Sequence, residues 1–510
     1  MRSTTLAIVL AVLTRSGAGG AAAADQSLTF RVSDGQGVPL PCRVHLRDEA
    51  GQAAPAAELP RRADHLSFDG ERTVSLPAGR YSYAIERSPE WERVAGEVTL
   101  GAGERREIAA KLNRIADLSE RGWYSGDLHI HRELEEVEQL VRSSDLDIAP
   151  VITWWNNRNL WADRALPAET LVRFDGNRYY RVIEGEDERE GGALLFFGLN
   201  RPIDITGSSR EFPSPMAFVE QARAQNPHLH LDIEKPFWWD VPVWLAIAKP
   251  DTIGLANNHM CRATMYETEA WGRPRDAARL PAPRGNGFWT QEIYYHILNT
   301  GLRLPPSAGS ASGVLPNPVG YNRVYVHLDD ELTWDGWWNG LRAGRSFVTN
   351  GPLLECRANG KLPGIVFQGT TTKPFRVSLD LTLTTSDHVP QIEIISNGEV
   401  VKSIPCEEQP SQRITAEFTV SESGWFLVRA VTDNPQTFRF ASTAPYYVEL
   451  GDHPRRISRA SAQFFLDWVN ERIDRVPQKL TGPAQLQDVL RYHTAARDYW
   501  QERVQHATAP

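Results

Sequence analysis

Hydrophobic and polar positions alternate with a period of two through the first hundred residues. Short runs of this kind lie at 27–32, 42–46, 73–76 and 80–85, with clusters of glycine, proline and aspartate between them. Because successive side chains of a strand point to opposite faces, the pattern predicts short strands joined by turns. We expect a structural or adhesive β-sandwich at 25–115.

The pattern changes at about 116, where strand-like runs begin to alternate with helical spacing. Apolar residues from Leu134 to Val141 recur at the spacing of one helix face. Buried strands are predicted at 146–153, 179–184, 193–199, 228–233 and 252–256. This alternation, which extends to 350, is typical of an α/β layer or barrel, in which functional groups gather at the carboxyl ends of the strands.

The period returns to two after 350. Alternating runs at 375–381, 391–395 and 424–430 predict a second β-sandwich at 351–450. The remainder, 451–510, has two apolar stripes at helical spacing with a Gly-Pro pair between them, which predicts a helical hairpin that packs on the body.

The composition is that of a folded protein with several domains. The chain has 510 residues, of which 41% are hydrophobic and 23% charged. This length predicts two to four domains. The formal net charge is −9 and no Lys/Arg-rich block occurs, so we expect neither nucleic acid nor an anionic membrane as a partner.

The first residues are typical of a secretory signal. Arg2 precedes a short apolar run at 6–13 and a small-residue stretch that ends at Ala24, which predicts a signal peptide at 1–24 and export to the periplasm or the exterior. No later segment has the about 18 to 20 apolar residues of a transmembrane helix. One or two disulfides are compatible with this compartment, and the cysteines match no zinc or redox spacing: Cys42, Cys261, Cys356 and Cys406.

Two histidines, His129 and His131, lie two residues apart at the end of a strand-like segment. Period two directs both imidazoles to one face, and neutral imidazole is a ligand for zinc, manganese and iron. The alternative is a histidine pair on a polar strand face without a ligand. Asp127 before the pair, together with the helix-like segment and buried strand after it, favours a metal site.

The segment 126–131, the helix after it and the strand at 147–153 resemble the start of the polymerase and histidinol phosphatase (PHP) metallohydrolase superfamily, most closely its secreted CehA/McbA-like branch. The resemblance covers under half of the chain and continues through 184–189, 231–237, 294–310 and 344–351. It implies a distorted (β/α)7 barrel that binds up to three metal ions and hydrolyses phosphoesters or other esters.

Several ligand positions of that superfamily hold other residues in this chain. Trp154 and Trp155 stand where the family has Asp-His, and Lys235 with its following proline stands where it has His-Pro. The loop 309–313 lacks the Asp and His of the family's Gly-Ser-Asp-x-His. At least four ligands are absent, and an ammonium lies nearby, so a cluster of several cations is disfavoured.

The remaining ligands fit one divalent ion, zinc, manganese or iron. They are His129, His131, Glu186 and His259, although a lone histidine such as His259 is also common as a hydrogen-bonded core residue. Two or three histidines with one carboxylate and an open position form a catalytic arrangement, which lowers the pKa of bound water toward about 7.

Three further residues are predicted to be catalytic: Asp127, Glu234 and Lys235. Glu234 and Lys235 end a predicted strand as neighbours, where they would orient substrate or exchange protons, because burial lowers the pKa of a lysine. The alternative for this strand, which also carries His228 and His230, is an edge strand with a solvated side.

Twelve of the sixteen tryptophans lie between 123 and 338, several of them in adjacent pairs. Neighbours on a strand point to opposite faces, so one member of a pair can be core while the other lines a cleft. We predict that the cleft is lined by Trp155, Asn156, Asn157 and Trp238. These groups fit a neutral, polyhydroxylated or aromatic substrate.

Two functions follow. The first is an exported PHP-like hydrolase that cleaves an ester-type bond, in a phosphoester, carboxylic ester or carbamate, with a metal-activated water. The second is a catalytically degenerate PHP scaffold that binds a glycan or an aromatic ligand in the Trp/Asn cleft. A small-molecule or glycan-like partner is expected in both.

Overall fold

The computed structural model describes residues 26–54, 60–451 and 455–510. The predicted signal peptide at 1–24 lies outside these residues. The predicted mixture of α-helices and β-sheets is confirmed, because several sheets occur together with seven α-helices in the described part.

The N-terminal part is built from eight strands in two sheets. One sheet has the order β5-β1-β8 and the other β3-β4-β2-β6-β7. Side chains from both, including Phe30, Val44 and Ile85, form one buried cluster, so the two layers enclose a common core. The strands are β1 (Ser27–Ser33), β2 (Pro41–Asp48), β3 (Arg61–Arg62), β4 (His65–Asp69), β5 (Glu71–Ser75), β6 (Gly79–Glu86), β7 (Val94–Leu100) and β8 (Arg105–Lys111).

The central part contributes eleven strands to a sheet that closes on itself. β9 and β13 both pair in parallel with β10, and β16 pairs in parallel with β15 and β17, whereas β14 runs antiparallel between β13 and β15. β18 returns antiparallel to β9. The strands are β9 (Trp123–Gly126), β10 (Ile148–Trp155), β11 (Arg158–Asn159), β12 (Leu171–Phe174), β13 (Arg178–Arg189), β14 (Gly192–Phe197), β15 (His230–Ile233), β16 (Thr252–Ala256), β17 (Pro306–Ala308), β18 (Arg323–His327) and β19 (Ser346–Thr349).

Seven α-helices accompany the strands of the described residues, and the last two lie within 459–505. The start of the second one is fixed locally, because the Ser214 hydroxyl accepts a hydrogen bond from the Met216 amide and Pro215 takes the first turn. The helices are α1 (Val137–Ser144), α2 (Pro215–Gln225), α3 (Val241–Val243, continued by a π-helical turn, Trp244–Ala248), α4 (Gly285–Asn299), α5 (Trp334–Arg342), α6 (Arg459–Arg475) and α7 (Pro483–Gln505).

The C-terminal strands form two layers around one core. One layer is the separate sheet β20-β22-β25. The other continues the central sheet, because β27 pairs with β19 from Phe347↔Thr443 to Thr349↔Ala441. The predicted break at 350 is therefore bridged by strand pairing. The strands are β20 (Leu353–Ala358), β21 (Val366–Gly369), β22 (Phe375–Thr384), β23 (Gln391–Ser396), β24 (Glu399–Pro405), β25 (Ser411–Val420), β26 (Gly424–Val431), β27 (Phe440–Thr443) and β28 (Tyr446–Leu450).

The predicted pair of C-terminal helices is present as α6 and α7. Phe465, Trp468 and Trp500 are buried in the same cluster as the central strands, so the pair packs on the body. Buried Arg472 donates to Asp240 at 2.6 Å and to both oxygens of Glu211 at 3.0 and 2.6 Å. No helix within the described ranges is long and apolar enough to cross a membrane.

All four cysteines lie in the described part of the chain, and each is a free thiol. Three are buried, and burial raises the pKa of each of their thiols to about 12. They are Cys42, Cys261 and Cys356.

Candidate metal centre and cleft

The two histidines lie in an extended segment just beyond β9, which ends at Gly126. Ile130 between them forms parallel bridges to Val151 on one side and Ser312 on the other. These bridges hold the backbone extended, so that His129 and His131 share a face as period two requires.

The loop 309–313 lies directly against this segment. A Cβ on Gly309 would lie 2.5 Å from the His129 Cβ, and one on Gly313 would lie 1.7 Å from the His131 carbonyl oxygen. The His131 amide donates to the Ser312 carbonyl at 2.7 Å. Glycine is therefore required at both positions, and the loop fixes the backbone of the histidine pair.

The carboxylate of Asp127 joins this segment to two other loops. Its Oδ1 accepts hydrogen bonds from the His129 and Ser310 amides, both at 3.0 Å, and its Oδ2 accepts one from the Gly320 amide at 2.7 Å. Both oxygens are thus occupied by backbone donors. These contacts position the histidines and leave Asp127 facing the backbone.

Glu186 reaches the histidines from β13. The parallel register of β10 and β13 sets Trp155 opposite Glu186 and Trp154 opposite Gly185. A Cβ on Gly185 would lie 1.7 Å from the Trp154 ring, so the bulky indole fits only because its neighbour is glycine. Trp154 is core, and the next residue, Trp155, faces the site.

Three ligand atoms converge at the centre of the site. Nε2 of His129 and Nε2 of His131 lie 2.8 Å apart, and Oε2 of Glu186 lies 3.2 and 3.1 Å from them. An ion held at about 2.0–2.2 Å has neighbouring ligand atoms about 3 Å apart. The donor set therefore fits one divalent cation, in a two-histidine, one-carboxylate arrangement.

Hydrogen bonds alone do not satisfy this group. One ring proton shared by two Nε2 atoms and an oxygen can point at only one of them. A cation at the centre would engage all three atoms.

Electrostatics favours ionised carboxylates here. Burial acts to raise the pKa of Glu186, but the two histidines more than offset it and the pKa lies below its ordinary value. Burial acts to lower the pKa of His129, yet Glu186 and Glu234 raise it to about 10. Burial lowers the pKa of His131, so its ring is neutral, as a metal ligand must be. His129 would release a proton on binding an ion, because its raised pKa keeps the ring protonated at neutral pH.

Glu234 and Lys235 lie behind His129. Oε1 of Glu234 is 3.4 Å from Nδ1 of His129, and Oε2 accepts hydrogen bonds from the Lys235 ammonium and, at 2.9 Å, from the Trp238 indole. The Lys235 ammonium also lies 4.5 Å from the centre of the Trp238 ring. A carboxylate on the second nitrogen of a ligand histidine is a common metal-site feature.

His259 is not brought to the three ligand atoms, and the metal-ligand prediction for it is not supported. Its ring stacks on Tyr266 at 4.9 Å and lies 5.4 Å from Phe237. Burial lowers its pKa to about 3. A neutral imidazole among aromatic rings is the core histidine that the sequence also allowed.

A pocket of about 250 Å³ lies beside the site and includes Asn156, Asn157, Glu188 and Trp271 in its lining. Trp155 is half-buried, and its ring centre lies 4.5 Å from that of His131. Trp238 is only 1% exposed, so it does not line the pocket as predicted; it stacks behind Trp271 at 5.4 Å.

The sequence prediction missed two of these residues. Glu188 lies on the same face of β13 as Glu186, and burial, with Glu186 beside it, raises its pKa to about 7. Side chains two residues apart on a strand share a face, so the alternation along 184–189 was sufficient to identify Glu188. Trp271 lies in a loop without periodicity, and no local pattern marks it.

A second buried group of ligand-type side chains lies in the N-terminal part: His45, Asp64 and His65. Nδ1 of His45 is 2.9 Å and Nδ1 of His65 3.8 Å from Oδ1 of Asp64. Arg47 donates to the other Asp64 oxygen at 2.8 Å. The guanidinium already compensates the carboxylate, so this group attracts a divalent cation less than the first group does.

No protein-family model and no curated protein matches this chain. Among solved structures, a Niemann-Pick type C2 protein from the Japanese carpenter ant is similar over 20% of this chain and 91% of its own length, with 9% identity. The TM-score is 0.12, too low for this likeness to bear on fold or function.

Proposed function

We propose that the chain is a metal-dependent hydrolase of ester-type bonds, built on a PHP-like barrel and exported by its signal peptide. The observation that carries the proposal is the convergence of two imidazole nitrogens and one carboxylate oxygen within 2.8–3.2 Å of one another. Parallel pairing of β9, β10 and β13, and of β15, β16 and β17, supports the (β/α)7 part of the proposal.

His129, His131 and Glu186 would hold the ion, zinc, manganese or iron. When bound, such an ion polarises a carbonyl or phosphoryl oxygen and lowers the pKa of water toward about 7. Three protein ligands would leave at least one coordination position for water or substrate.

Glu234, Lys235 and Asp127 act in this proposal as positioning residues. Oε1 of Glu234, 3.4 Å from Nδ1 of His129, favours a proton on Nδ1, so that Nε2 would be the nitrogen that binds. Lys235 keeps Glu234 ionised: burial raises the pKa of that carboxyl, but Lys235 and His129 lower it below its ordinary value. Asp127 holds the backbone of the pair.

The pocket beside the site supplies the substrate contacts. Asn156 and Asn157 offer neutral hydrogen-bonding groups and Trp271 offers an aromatic face, while charged groups of both signs also line the pocket: Glu188, Arg189, Glu190 and Arg210. The two asparagines and the tryptophan fit an ester with a hydroxylated or aromatic leaving group.

Metal content is the first test. Purified wild-type protein should carry about one equivalent of a divalent metal, and the double variant His129→Ala, His131→Ala should carry none. His228→Ala is the matched control, because this histidine is exposed. Equal metal content in wild type and double variant rules the proposal out. Screening of phosphoesters, aryl esters and carbamates with added Zn²⁺, Mn²⁺ or Fe²⁺ then identifies the bond.

One observation favours the second function, ligand binding on a degenerate scaffold. The side chains of His129, His131 and Glu186 are at most 3% exposed, so a bulky substrate has no direct approach to them. In that case a glycan or aromatic ligand would bind the pocket equally well in wild type and in the double variant, without turnover. Ligand binding that is lost in Trp271→Ala but kept in the double variant would support this function.

A further inference from the structure

A cavity of about 60 Å³ lies where the N-terminal, central and C-terminal parts meet, well separated in sequence from the histidine pair. Its walls come from β2 and β6, from the loop after β16, and from the segments before β23 and β27. We call it the arginine cavity after four of its lining residues: Arg43, Arg93, Arg262 and Arg439.

The lining carries an excess of positive charge. Two carboxylates, Glu86 and Asp387, accompany the four guanidinium groups, so the net charge is +2. Arg262 donates to both oxygens of Glu86 at 3.1 Å, and Arg439 donates to both oxygens of Asp387 at 3.0 and 3.1 Å. Asp387 also accepts a hydrogen bond from Arg93 at 2.8 Å, so three of the four guanidinium groups engage the two carboxylates.

The donors left over are buried. Arg43 is 5% exposed, and its Nε and Nη1 have no hydrogen-bond partner within the described ranges. The same holds for Nε of Arg439 and the hydroxyl of Tyr321, which also lines the cavity. The nearest carboxylate to Arg43 is Glu86, 3.5 Å from its Nε. Unpaired buried donors of this kind are costly and call for an acceptor.

Burial lowers the pKa of Arg43 to about 10, so the group still carries its charge at neutral pH. A cation is excluded by the net charge of the lining. A neutral ligand would leave two positive charges uncompensated in a mostly buried site. An anion with several acceptor oxygens satisfies both the charge and the free N–H groups.

The size of the cavity limits the anion. About 10–15 Å³ by this measure accommodates one water-sized group, so 60 Å³ takes about four to six heavy atoms. We propose that the arginine cavity binds a small doubly charged oxyanion of the phosphate or sulfate type, which joins the three parts of the chain. None of the three proposed metal ligands lines this cavity, whereas Gly320, which does line it, donates its amide proton to Asp127.

Calorimetric titration of the full-length chain with inorganic phosphate, and separately with sulfate, at constant ionic strength tests the proposal. Wild type should bind one anion per chain. Arg43→Gln should weaken the affinity about tenfold or more, because a charge-assisted donor is lost. This variant keeps Glu86 paired with Arg262. Arg31→Gln, on the exposed surface of the same part, should bind as wild type does.

Two further arms keep the test decisive. The double variant His129→Ala, His131→Ala should bind phosphate unchanged, which separates this site from a metal-bound anion. Arg93→Gln, whose side chain is 36% exposed, should fold and weaken binding about threefold. The proposal is overturned if wild type does not bind either anion, if neither arginine variant lowers the affinity, or if binding disappears with the histidines.

Discussion

Gly313 shows how a single missing side chain shapes the candidate metal centre. Its φ is +102°, and a Cβ would lie 1.7 Å from the His131 carbonyl oxygen. Gly103 also has a positive φ, +74°, but open space around it. A comparison of alanine substitutions at the two glycines therefore separates the cost of backbone strain from the cost of a steric clash.

We expect Gly313→Ala to destabilise the protein by at least about 2 kcal/mol more than Gly103→Ala, which should cost about 1–2 kcal/mol. The extra cost arises because the loop must move away from the histidine pair. Urea denaturation followed by tryptophan fluorescence measures the difference. Equal costs for the two variants would contradict the close packing of this loop.

Asp127 allows a test of its positioning role. Asparagine in its place would turn an N–H donor toward one of the three backbone amides that Asp127 now accepts from. We expect Asp127→Asn to cost about 2 kcal/mol and to lower the metal content of the purified protein. Asp163→Asn, at an exposed position, should change neither. Wild-type metal content in Asp127→Asn would argue against positioning.

At the scale of single residues, the sequence was sufficient to predict features that depend only on near neighbours along the chain. His129 and His131 share a face because they are two residues apart, and Trp154 and Trp155 divide between core and site because they are adjacent. The place of His259 depends on contacts with Phe237 and with a loop residue, which no local pattern encodes.

The helices α6 and α7 are elements whose position depends on one buried ion network. Arg472 bridges Asp240 and Glu211, which lie in the central part. Removal of the guanidinium leaves Glu211 buried without a cation and Asp240 with His493 at 3.3 Å, and such a loss typically costs about 3–5 kcal/mol.

We expect Arg472→Met, which keeps most of the side-chain bulk, to destabilise the protein by about 3 kcal/mol or more. Arg491→Met on α7 is the control, because its side chain is 56% exposed, and it should have little effect. Thermal unfolding of both variants decides the matter. A midpoint for Arg472→Met like that of the control would mean that apolar packing alone holds the helices.

Periodicity predicted where the strands and helices lie, but it did not predict which strands pair with each other. The predicted strands at 252–256 and 375–381 agree with β16 and β22 within a few residues. The pairing of β19 with β27 joins residues about ninety positions apart. Periodicity reports which face of a strand is buried and carries no information about such a distant partner.

Across the whole molecule, Glu90 ties the N-terminal part to the central sheet. It accepts hydrogen bonds from the Tyr325 hydroxyl at 3.0 Å and the Leu118 amide at 2.9 Å. Burial, reinforced by Asp145, raises its pKa from 4.5 to about 7. The folded state therefore holds this proton more tightly than the unfolded chain does.

The raised pKa makes stability depend on pH. The contribution is complete below pH 4.5 and is lost as the pH rises toward about 7, a change of about 3 kcal/mol. We expect Glu90→Gln to flatten this fall between pH 5 and 7.5, because glutamine does not ionise. Glu399→Gln, exposed on β24, should retain the wild-type slope. Thermal midpoints across the range measure it, and parallel slopes for all three proteins would contradict the assignment.

The pairing of β19 with β27 has a consequence for how the chain can be divided. A cut in the short connection after Thr349 would break one covalent bond and leave the strand hydrogen bonds of this pair intact. The two fragments should then stay together as a nicked complex. If the last hundred residues were instead removed and joined to another protein, β19 in the remaining part would have an unpaired edge. Such an edge is a template for aggregation.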